Sequence, residues 1–357
     1  VKVLDLARSH LRGVEPYRSA RSLALEAEVF LDANESPLPL KSGAAFRGLN
    51  RYPAPQPPAL VSEAARYYGV PAESVVVTRG ADEGIDLLVR TFVEPAREEV
   101  LITPPTYGVY AIAARLHGAA VSEAPLDAAR GFAFDDARVL AAARAGAVKL
   151  VFVCRPNNPT ATGVALSAVE SLAAGLAERA LVVVDEAYLE FSGCASAAAL
   201  IARFPNVVVL KTLSKAWGLA GARVGFVLAA PEIAALLQIV RAPYPISAPS
   251  ARAAKAVFNA AGETLMRRSV AKILAERERL AARLARLPGV ERVLPSEANF
   301  LIAILKNKDA ALAALRARGI VARDRSAEPG LAGAVRVTVG TAAENDRLLA
   351  ALEETRG

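Results

Sequence analysis

Short apolar runs rich in valine recur through the middle of the chain, with helical patterns between them. The runs are Val75-Val-Val77, Val100-Leu-Ile102, Lys149-Leu-Val-Phe-Val153, Leu181-Val-Val-Val184, Val207-Val-Val-Leu210 and Val224-Gly-Phe-Val-Leu228. Strands apolar at successive positions have no polar face to turn to water, so they must be covered on both sides. Ile85, Leu88, Val89 and Phe92 supply the i, i+3, i+4, i+7 stripe of one covering helix. The alternation predicts an α/β architecture with a mostly parallel sheet between helix layers. A chain of 357 residues that is 54% hydrophobic can build the large core this requires.

The pattern changes after about residue 250. A long helix is expected from Gly262 to Leu287, with Val270, Ile273, Leu274, Leu280, Leu284 and Leu287 on one side. Strands at Phe300-Leu-Ile-Ala-Ile304 and Val335-Arg-Val-Thr-Val339 flank a helix near Lys308 to Arg318. The chain therefore divides into an N-terminal arm (1–35), a large domain (36–250) and a smaller α+β C-terminal domain (251–357). Pro-rich stretches at Ser36-Pro-Leu-Pro39 and Arg51-Tyr-Pro-Ala-Pro-Gln-Pro-Pro58 punctuate the passage out of the arm.

Several function classes fit poorly. No apolar run reaches the roughly 18 residues of a membrane span. Val1-Lys-Val-Leu-Asp-Leu6 lacks the layout of a secretory signal, so a cytoplasmic location is expected. The two cysteines, Cys154 and Cys194, are too few for a disulfide framework or zinc site, and both are expected as buried thiols. The two histidines, His10 and His117, have neither metal-ligand spacing nor a neighbouring nucleophile. No metal is expected. The net charge of +7 is spread over helix faces, with no basic block interleaved with aromatics, so nucleic acid is not an expected partner.

Open α/β sheets place ligands at the carboxyl ends of their strands. Thr212-Leu-Ser-Lys-Ala-Trp-Gly-Leu-Ala-Gly-Ala-Arg223 opens there, after the run ending at Leu210. A lysine suited to Schiff-base chemistry, Lys215, thus lies beside Ser214 and ahead of Arg223. Hydroxyl and guanidinium groups beside such a lysine are what a pyridoxal phosphate site needs. In Thr78-Arg-Gly-Ala-Asp-Glu-Gly-Ile-Asp86, free N–H groups at Ala81 and Asp82 suit a phosphate, or belong to an ordinary βα turn with an acidic cap. Asp185 ends its run; a buried carboxylate there needs a partner, either a pyridinium nitrogen or the start of the next helix. Tyr188 is within reach of a ring's phenolic oxygen. Asn157-Asn-Pro-Thr160 has the composition of a turn, yet it too follows a strand, so Asn158 can donate to the same oxygen. Tyr107, in Pro104-Pro-Thr-Tyr107, is a stacking face for a ring or a core aromatic. Arg336 alternates with Val335 and Val337 and leaves the apolar face, to form a salt bridge or to clamp a carboxylate or phosphate, with Arg323 in a position to join it.

With these residues in place, the chain resembles the fold-type I pyridoxal phosphate aminotransferases and, within their class II subgroup, the histidinol-phosphate aminotransferase family. The resemblance runs through Pro16-Tyr-Arg-Ser-Ala-Arg21, Leu31-Asp-Ala-Asn-Glu35, Arg51-Tyr-Pro53, Arg79-Gly-Ala-Asp-Glu-Gly-Ile85, Pro104-Pro-Thr-Tyr-Gly108, Pro156-Asn-Asn-Pro-Thr160, Asp185-Glu-Ala-Tyr188, Thr212-Leu-Ser-Lys215 and Arg336-Val-Thr-Val-Gly340. It implies the PLP-dependent transferase fold type I: a mostly parallel seven-stranded sheet plus a smaller C-terminal domain. It implies transamination between the L-glutamate/2-oxoglutarate pair and the L-histidinol phosphate/imidazole-acetol phosphate pair, in histidine biosynthesis, with pyridoxal 5'-phosphate as cofactor. Lys215 would be catalytic. Asp185 would pair with the ring nitrogen, Asn158 and Tyr188 would bond the phenolic oxygen, and Tyr107 would stack. Ser214, Arg223, Ala81 and Asp82 would hold the cofactor phosphate, joined by Tyr52 from the partner subunit of a homodimer. Tyr17, Asn34, Arg323 and Arg336 would bind substrate, with Arg336 on the glutamate carboxylate and Arg323 helping to hold the substrate phosphate. The arm would pack with the small domain and the partner. Alternatives on the same scaffold are an aromatic amino acid aminotransferase, a threonine-phosphate decarboxylase, and, remotely, a non-catalytic regulatory module.

The chain departs from the family pattern at two places. Ala161 and Thr162 precede Gly163 where the family has Gly directly after Asn-Pro-Thr, so the loop beside Asn158 is expected to differ. Arg155 is also unexpected, and is read as either solvent-exposed or touching substrate.

Overall fold

The computed structural model describes residues 3–8 and 47–353. Tyr17, Asn34 and His10 lie outside the described residues, as does most of the expected arm. Helix α1 (Pro58–Tyr68) leads into strand β1 (Val75–Thr78) and helix α2 (Ala81–Phe92). There follow β2 (Glu99–Ile102), α3 (Val109–Leu116), β3 (Ala120–Glu123), α4 (Asp136–Ala145), β4 (Val148–Cys154), α5 (Leu166–Gly175), β5 (Leu181–Asp185), β6 (Val207–Thr212) and β7 (Gly225–Leu228). They form one seven-stranded sheet in the order β1-β7-β6-β5-β4-β2-β3. Pairings among β2 to β6 are parallel, and β7 runs antiparallel to both β1 and β6.

The valine runs are covered on both faces, as their composition requires. Val75, Val77, Val151, Val153, Val182, Val184, Val207 and Val209 pack into one core. Their neighbours Val76, Leu150, Phe152, Leu181, Val183, Val208 and Leu210 pack into a second core on the other side. The period of two along each strand produces this division. β3 was not marked by an apolar run, because it is an edge strand whose residues are half-buried or exposed.

Helices α6 (Pro231–Val240) and α7 (Ala248–Val257) lead to the long α8 (Ala260–Leu284). Asn259 caps α8, its side chain accepting from Gly262 N, so the helix starts slightly before the expected Gly262. Leu287 lies past its end but remains buried. Next come β8 (Val290–Val293), β9 (Phe300–Leu305), α9 (Lys308–Ala317), β10 (Arg323–Asp324), β11 (Ala334–Thr338) and α10 (Ala342–Glu353). The second sheet is antiparallel, in the order β10-β11-β9-β8. Leu301, Ala303, Val335 and Val337 face Leu280, Leu284 and α10. Ile302 and Ile304 face Phe132, which reaches across from the segment before α4. The small sheet is thereby fixed against the carboxyl edge of the large one.

Candidate active site

The strand ends converge on one cavity. It is lined by Ala81, Asp82, Tyr107, Cys154, Asn158, Asp185, Ala187, Tyr188, Thr212, Ser214, Lys215, Arg223, Arg325 and Arg336. Its floor comes from the ends of β4, β5 and β6, and its far wall from the small sheet.

Polar donors for an anion gather at the start of α2. Gly80 precedes the helix at φ 79, and no side chain caps the helix's first N–H groups. The positive φ favours glycine, and a Cβ at Gly80 would sit 2.7 Å from Arg223 Nη2, so the guanidinium would have to shift. At Gly225, the first residue of β7, a Cβ would meet the Gly80 carbonyl carbon at 2.6 Å. Arg223 Nη1 donates to Ser214 Oγ at 3.3 Å, and Nη2 pairs with Asp82 Oδ2 at 3.0 Å. Thr212 Oγ1 accepts from Ser214 N at 3.1 Å and donates to Ser214 Oγ at 2.9 Å. Arg223 holds a left-handed backbone at φ 52, a conformation that costs a non-glycine residue about 1–2 kcal/mol and persists where the surroundings impose it.

Asp185 is buried at 3% exposure. Its Oδ2 accepts from Tyr110 Oη at 2.7 Å and its Oδ1 from Ala187 N at 3.0 Å. Burial raises its carboxyl above the ordinary range, against the pull of those two donors. Tyr110 was not singled out in the sequence. It lies one helical turn beyond Tyr107, fully buried and stacked on Phe152 at 4.5 Å, and a buried tyrosine hydroxyl needs an acceptor. Tyr107 itself donates to Asp82 Oδ1 at 3.0 Å and lines the cavity.

The Lys215 ammonium lies 5.4 Å from the Tyr188 ring centroid. Partial removal from water lowers its pKa, and the Arg336 guanidinium lowers it further. Asn158 Oδ1 accepts from Arg336 Nη1 at 2.6 Å. Arg336 lies 5.2 Å over the Phe300 ring, and burial followed by Arg325 holds its pKa down. Arg336 thus leaves the apolar face of β11 and reaches the cavity.

Other residues fall elsewhere. Arg323 sits across the β10–β11 ladder from Arg336, but it is exposed and lines a neighbouring depression with Gly319, Val321 and Arg347. The arginine turned into the cavity is Arg325. Tyr52 is 51% exposed and stacks on Tyr244 at 4.4 Å, away from the cavity of its own chain. Arg155 neither faces solvent nor lines the cavity: it is buried and pairs with Glu186 at 2.9 Å. Cys154 is buried, as expected, but Cys194 is exposed, following the left-handed turn at Gly193. Ala161 adopts φ 58 while 1% exposed, so the Asn-Pro-Thr loop keeps a glycine-like conformation without glycine.

These residues suit pyridoxal phosphate by their chemistry. Asp185 is a buried carboxylate with no cation paired to it among the described residues, which a protonated ring nitrogen would supply. Uncapped helix N–H groups with Ser214 and Arg223 suit the phosphate, and Lys215 lines the same cavity.

The aminotransferase class I and II family matches residues 23–352. The histidinol-phosphate aminotransferase of Xylella fastidiosa (strain 9a5c) is 48% identical, over 99% of this chain and 96% of its own. That of Stenotrophomonas maltophilia (strain R551-3) is 46% identical, over 99% and 97%. The crystal structure of histidinol-phosphate aminotransferase from Sinorhizobium meliloti in complex with pyridoxal-5'-phosphate aligns with a TM-score of 0.76 at 27% identity, over 85% of this chain and 82% of that one. A fold-type I architecture, a strand-end lysine with an anion cradle, and family similarity over nearly the whole length lead to one conclusion: this chain belongs to the class I and II aminotransferases.

Proposed function

We propose that Lys215, Asp185 and Asn158 carry out the chemistry of this enzyme at the cavity between the two sheets. The reaction is transamination between L-glutamate with 2-oxoglutarate and L-histidinol phosphate with imidazole-acetol phosphate, dependent on pyridoxal phosphate. The cofactor, when bound, supplies an aldehyde carbon for amine exchange and a ring that withdraws electrons from the substrate's Cα.

The protein supplies placement and proton traffic. Lys215, its pKa lowered, is the base that removes the proton from substrate Cα and returns it at cofactor C4′. Asp185, fixed by Tyr110 and Ala187, holds the proton on the ring nitrogen. Asn158 and Tyr188 hold the phenolic oxygen, and Tyr107 covers a ring face. Ser214, Arg223 and the N–H groups of Ala81 and Asp82 hold the phosphate. Arg336 takes the glutamate carboxylate. Tyr17 and Asn34 are proposed to contact substrate from the arm.

We further propose a homodimer in which Tyr52, exposed on its own chain, reaches the partner's cofactor phosphate. The division into arm (1–35), large domain (36–250) and small domain (251–357) is part of the same proposal. Among the described residues no helix is long and apolar enough to cross a membrane; a cytoplasmic location is proposed.

The carrying observation is the placement of Lys215, Asp185, Asn158 and Arg223 in one cavity with arginines at its opposite wall. The test supplies purified protein with glutamate and, separately, imidazole-acetol phosphate, phenylpyruvate or threonine phosphate. Formation of 2-oxoglutarate with imidazole-acetol phosphate at the highest kcat/KM is expected. Carbon dioxide release from threonine phosphate without 2-oxoglutarate, or a preference for phenylpyruvate, would overturn the substrate assignment.

A further inference from the structure

Asp82 brings a carboxylate to the cavity as well as a backbone N–H. It is the second residue of α2, and an acidic side chain in a helix's first turn ordinarily serves the helix start itself. Its neighbour Glu83 does so, accepting from Arg79 N at 2.6 Å and from Arg79 Nε at 3.0 Å. Asp82 turns the other way. Its two oxygens are divided between two residues distant in sequence: Oδ1 accepts from Tyr107 Oη at 3.0 Å, and Oδ2 from Arg223 Nη2 at 3.0 Å. All three residues line the cavity.

The two partners serve different parts of the cofactor: Arg223 its phosphate, Tyr107 a face of its ring. Arg223 Nη1 donates to Ser214 Oγ at 3.3 Å and to Ala220 O at 3.4 Å, so the bond to Asp82 is the shortest of the three that orient the guanidinium fork. The Tyr107 ring is half-buried, and its edge meets the Tyr110 ring at 5.5 Å and 84°. That contact restrains the ring from one side, and the bond from Oη to Asp82 restrains its far end. Burial, followed by the Asp82 charge, raises the Tyr107 phenol above its ordinary pKa, so it stays a donor. A lone carboxylate beside a phosphate site would repel the phosphate, but Arg223 and the start of α2 offset this one. Resting on the cofactor placement proposed above, we propose that Asp82 is a positioning residue: its carboxylate sets the Arg223 fork toward the cofactor phosphate and the Tyr107 ring against the cofactor ring at the same time.

The test titrates the full-chain apoprotein with pyridoxal phosphate and, separately, with pyridoxal, which lacks the phosphate. Trp217 fluorescence reports binding, and visible circular dichroism reports how the bound ring is held. In Asp82→Asn, Kd for pyridoxal phosphate should rise about 5- to 30-fold, for one half-exposed ion pair and one charge-assisted hydrogen bond weakened. Kd for pyridoxal should rise by a smaller factor, since only the Tyr107 side of the tie bears on it, and the circular dichroism band should change. Asp82→Glu, which restores the charge and both acceptors, should recover part of the loss. In a Tyr107→Phe background, Asp82→Asn should cost at least about 3-fold less than in the wild type. The urea midpoint of the apoprotein should stay within error of the wild type, because the ion pair is half-exposed. Tighter binding of pyridoxal phosphate by Asp82→Asn would overturn the proposal, since the carboxylate would then only repel the phosphate. A loss confined to pyridoxal phosphate, with pyridoxal and the dichroism unmoved, or full additivity with Tyr107→Phe, would also overturn it. If the wild type binds the cofactor and transaminates while Asp82→Asn matches it, the positioning role falls and the enzyme's function stands. If the wild type binds no pyridoxal phosphate, the function falls with it.

Discussion

Replacing Glu186 by leucine should destabilise this protein more than replacing its whole ion cluster. Arg155, Glu186 and Lys211 are 3%, 1% and 2% exposed. Glu186 Oε1 pairs with Arg155 at 2.9 Å and Oε2 with Lys211 at 2.6 Å. The same carboxylate accepts from Ala197 N at 2.7 Å and Ser196 Oγ at 2.5 Å. Arg155 also donates to Val164 O at 2.5 Å and Ala195 O at 2.8 Å, and Lys211 lies 5.1 Å over the Tyr68 ring. Removing one partner of a buried pair costs about 3–5 kcal/mol, because the remaining charge is uncompensated. Glu186→Leu strands two cations and orphans two donors, so a loss of about 4–8 kcal/mol is expected, a large part of the ~5–15 kcal/mol that holds a typical protein folded.

Arg155→Met leaves Glu186 with Lys211, Ser196 and Ala197, but it orphans two carbonyls; its cost should be about 3–5 kcal/mol. Replacing all three, as Arg155→Met with Glu186→Leu and Lys211→Met, removes the three paired charges and leaves nearby Glu190, whose carboxyl pKa burial already raises, without the field of Lys211. Apolar replacement of a whole buried cluster is often neutral or better. The triple variant should therefore be at least about 3 kcal/mol more stable than Glu186→Leu alone. Urea unfolding at fixed protein and cofactor concentration measures this, followed by the fluorescence of Trp217, the single tryptophan and itself buried. A triple variant no more stable than Glu186→Leu would refute the argument that uncompensated charge governs the cluster.

Lys215→Ala should lower transamination by at least about 1,000-fold and abolish the lysine-dependent visible absorbance of the cofactor, with little change in the urea midpoint; retained turnover would remove Lys215 from its role. Gly80→Ala puts a Cβ 2.7 Å from Arg223 Nη2 on a backbone that favours glycine, so cofactor affinity, measured by fluorescence titration, should fall about 10-fold or more. Tyr110→Phe removes a donor to Asp185 and should cost about 1.5–3 kcal/mol at neutral pH. Its sign with pH is defined: burial already raises the folded carboxyl above its unfolded value, so this group's contribution declines as pH rises from the unfolded value through the raised folded one. The variant widens that window, and its deficit against wild type should shrink as pH falls; a deficit independent of pH would contradict the account.

The strand-end residues were legible because composition and position agree there. A run such as Leu181-Val-Val-Val184 can only be a covered strand, and Asp185 directly after it stands at the edge where ligands bind. Lys215 and Asn158 follow the same logic. Edge strands were not legible: β3 reads Ala-Val-Ser-Glu, with neither face fully buried, and β10 is two charged residues whose strand character comes wholly from pairing with β11. Tyr110 was hidden differently, since its hydroxyl meets Asp185 across 75 positions of chain.

Arg323 and Arg325 show where sequence reasoning stops. Both flank Asp324, and alternation alone puts them on one side, so spacing cannot choose between them. The choice is made where the ladder ends: Asp324 anchors outward on Lys308 and Ser326, and Arg325 is drawn inward by Glu328. Arg155 is the complementary case. As a residue type it belongs to surfaces or ligand sites, yet it is buried because Glu186, on the adjacent strand end, offers a compensating charge. Arg155 belongs to a tie between strand ends: with Glu186 and Lys211 it joins β4, β5 and β6. Backbone bonds run alongside these ion pairs, from Arg155 N to Asp185 O at 2.8 Å and from Glu186 N to Leu210 O at 3.0 Å, so side chains and ladder tie the same strand ends. That connection depends on which strands are neighbours, a property of the folded sheet that no single segment of the sequence contains.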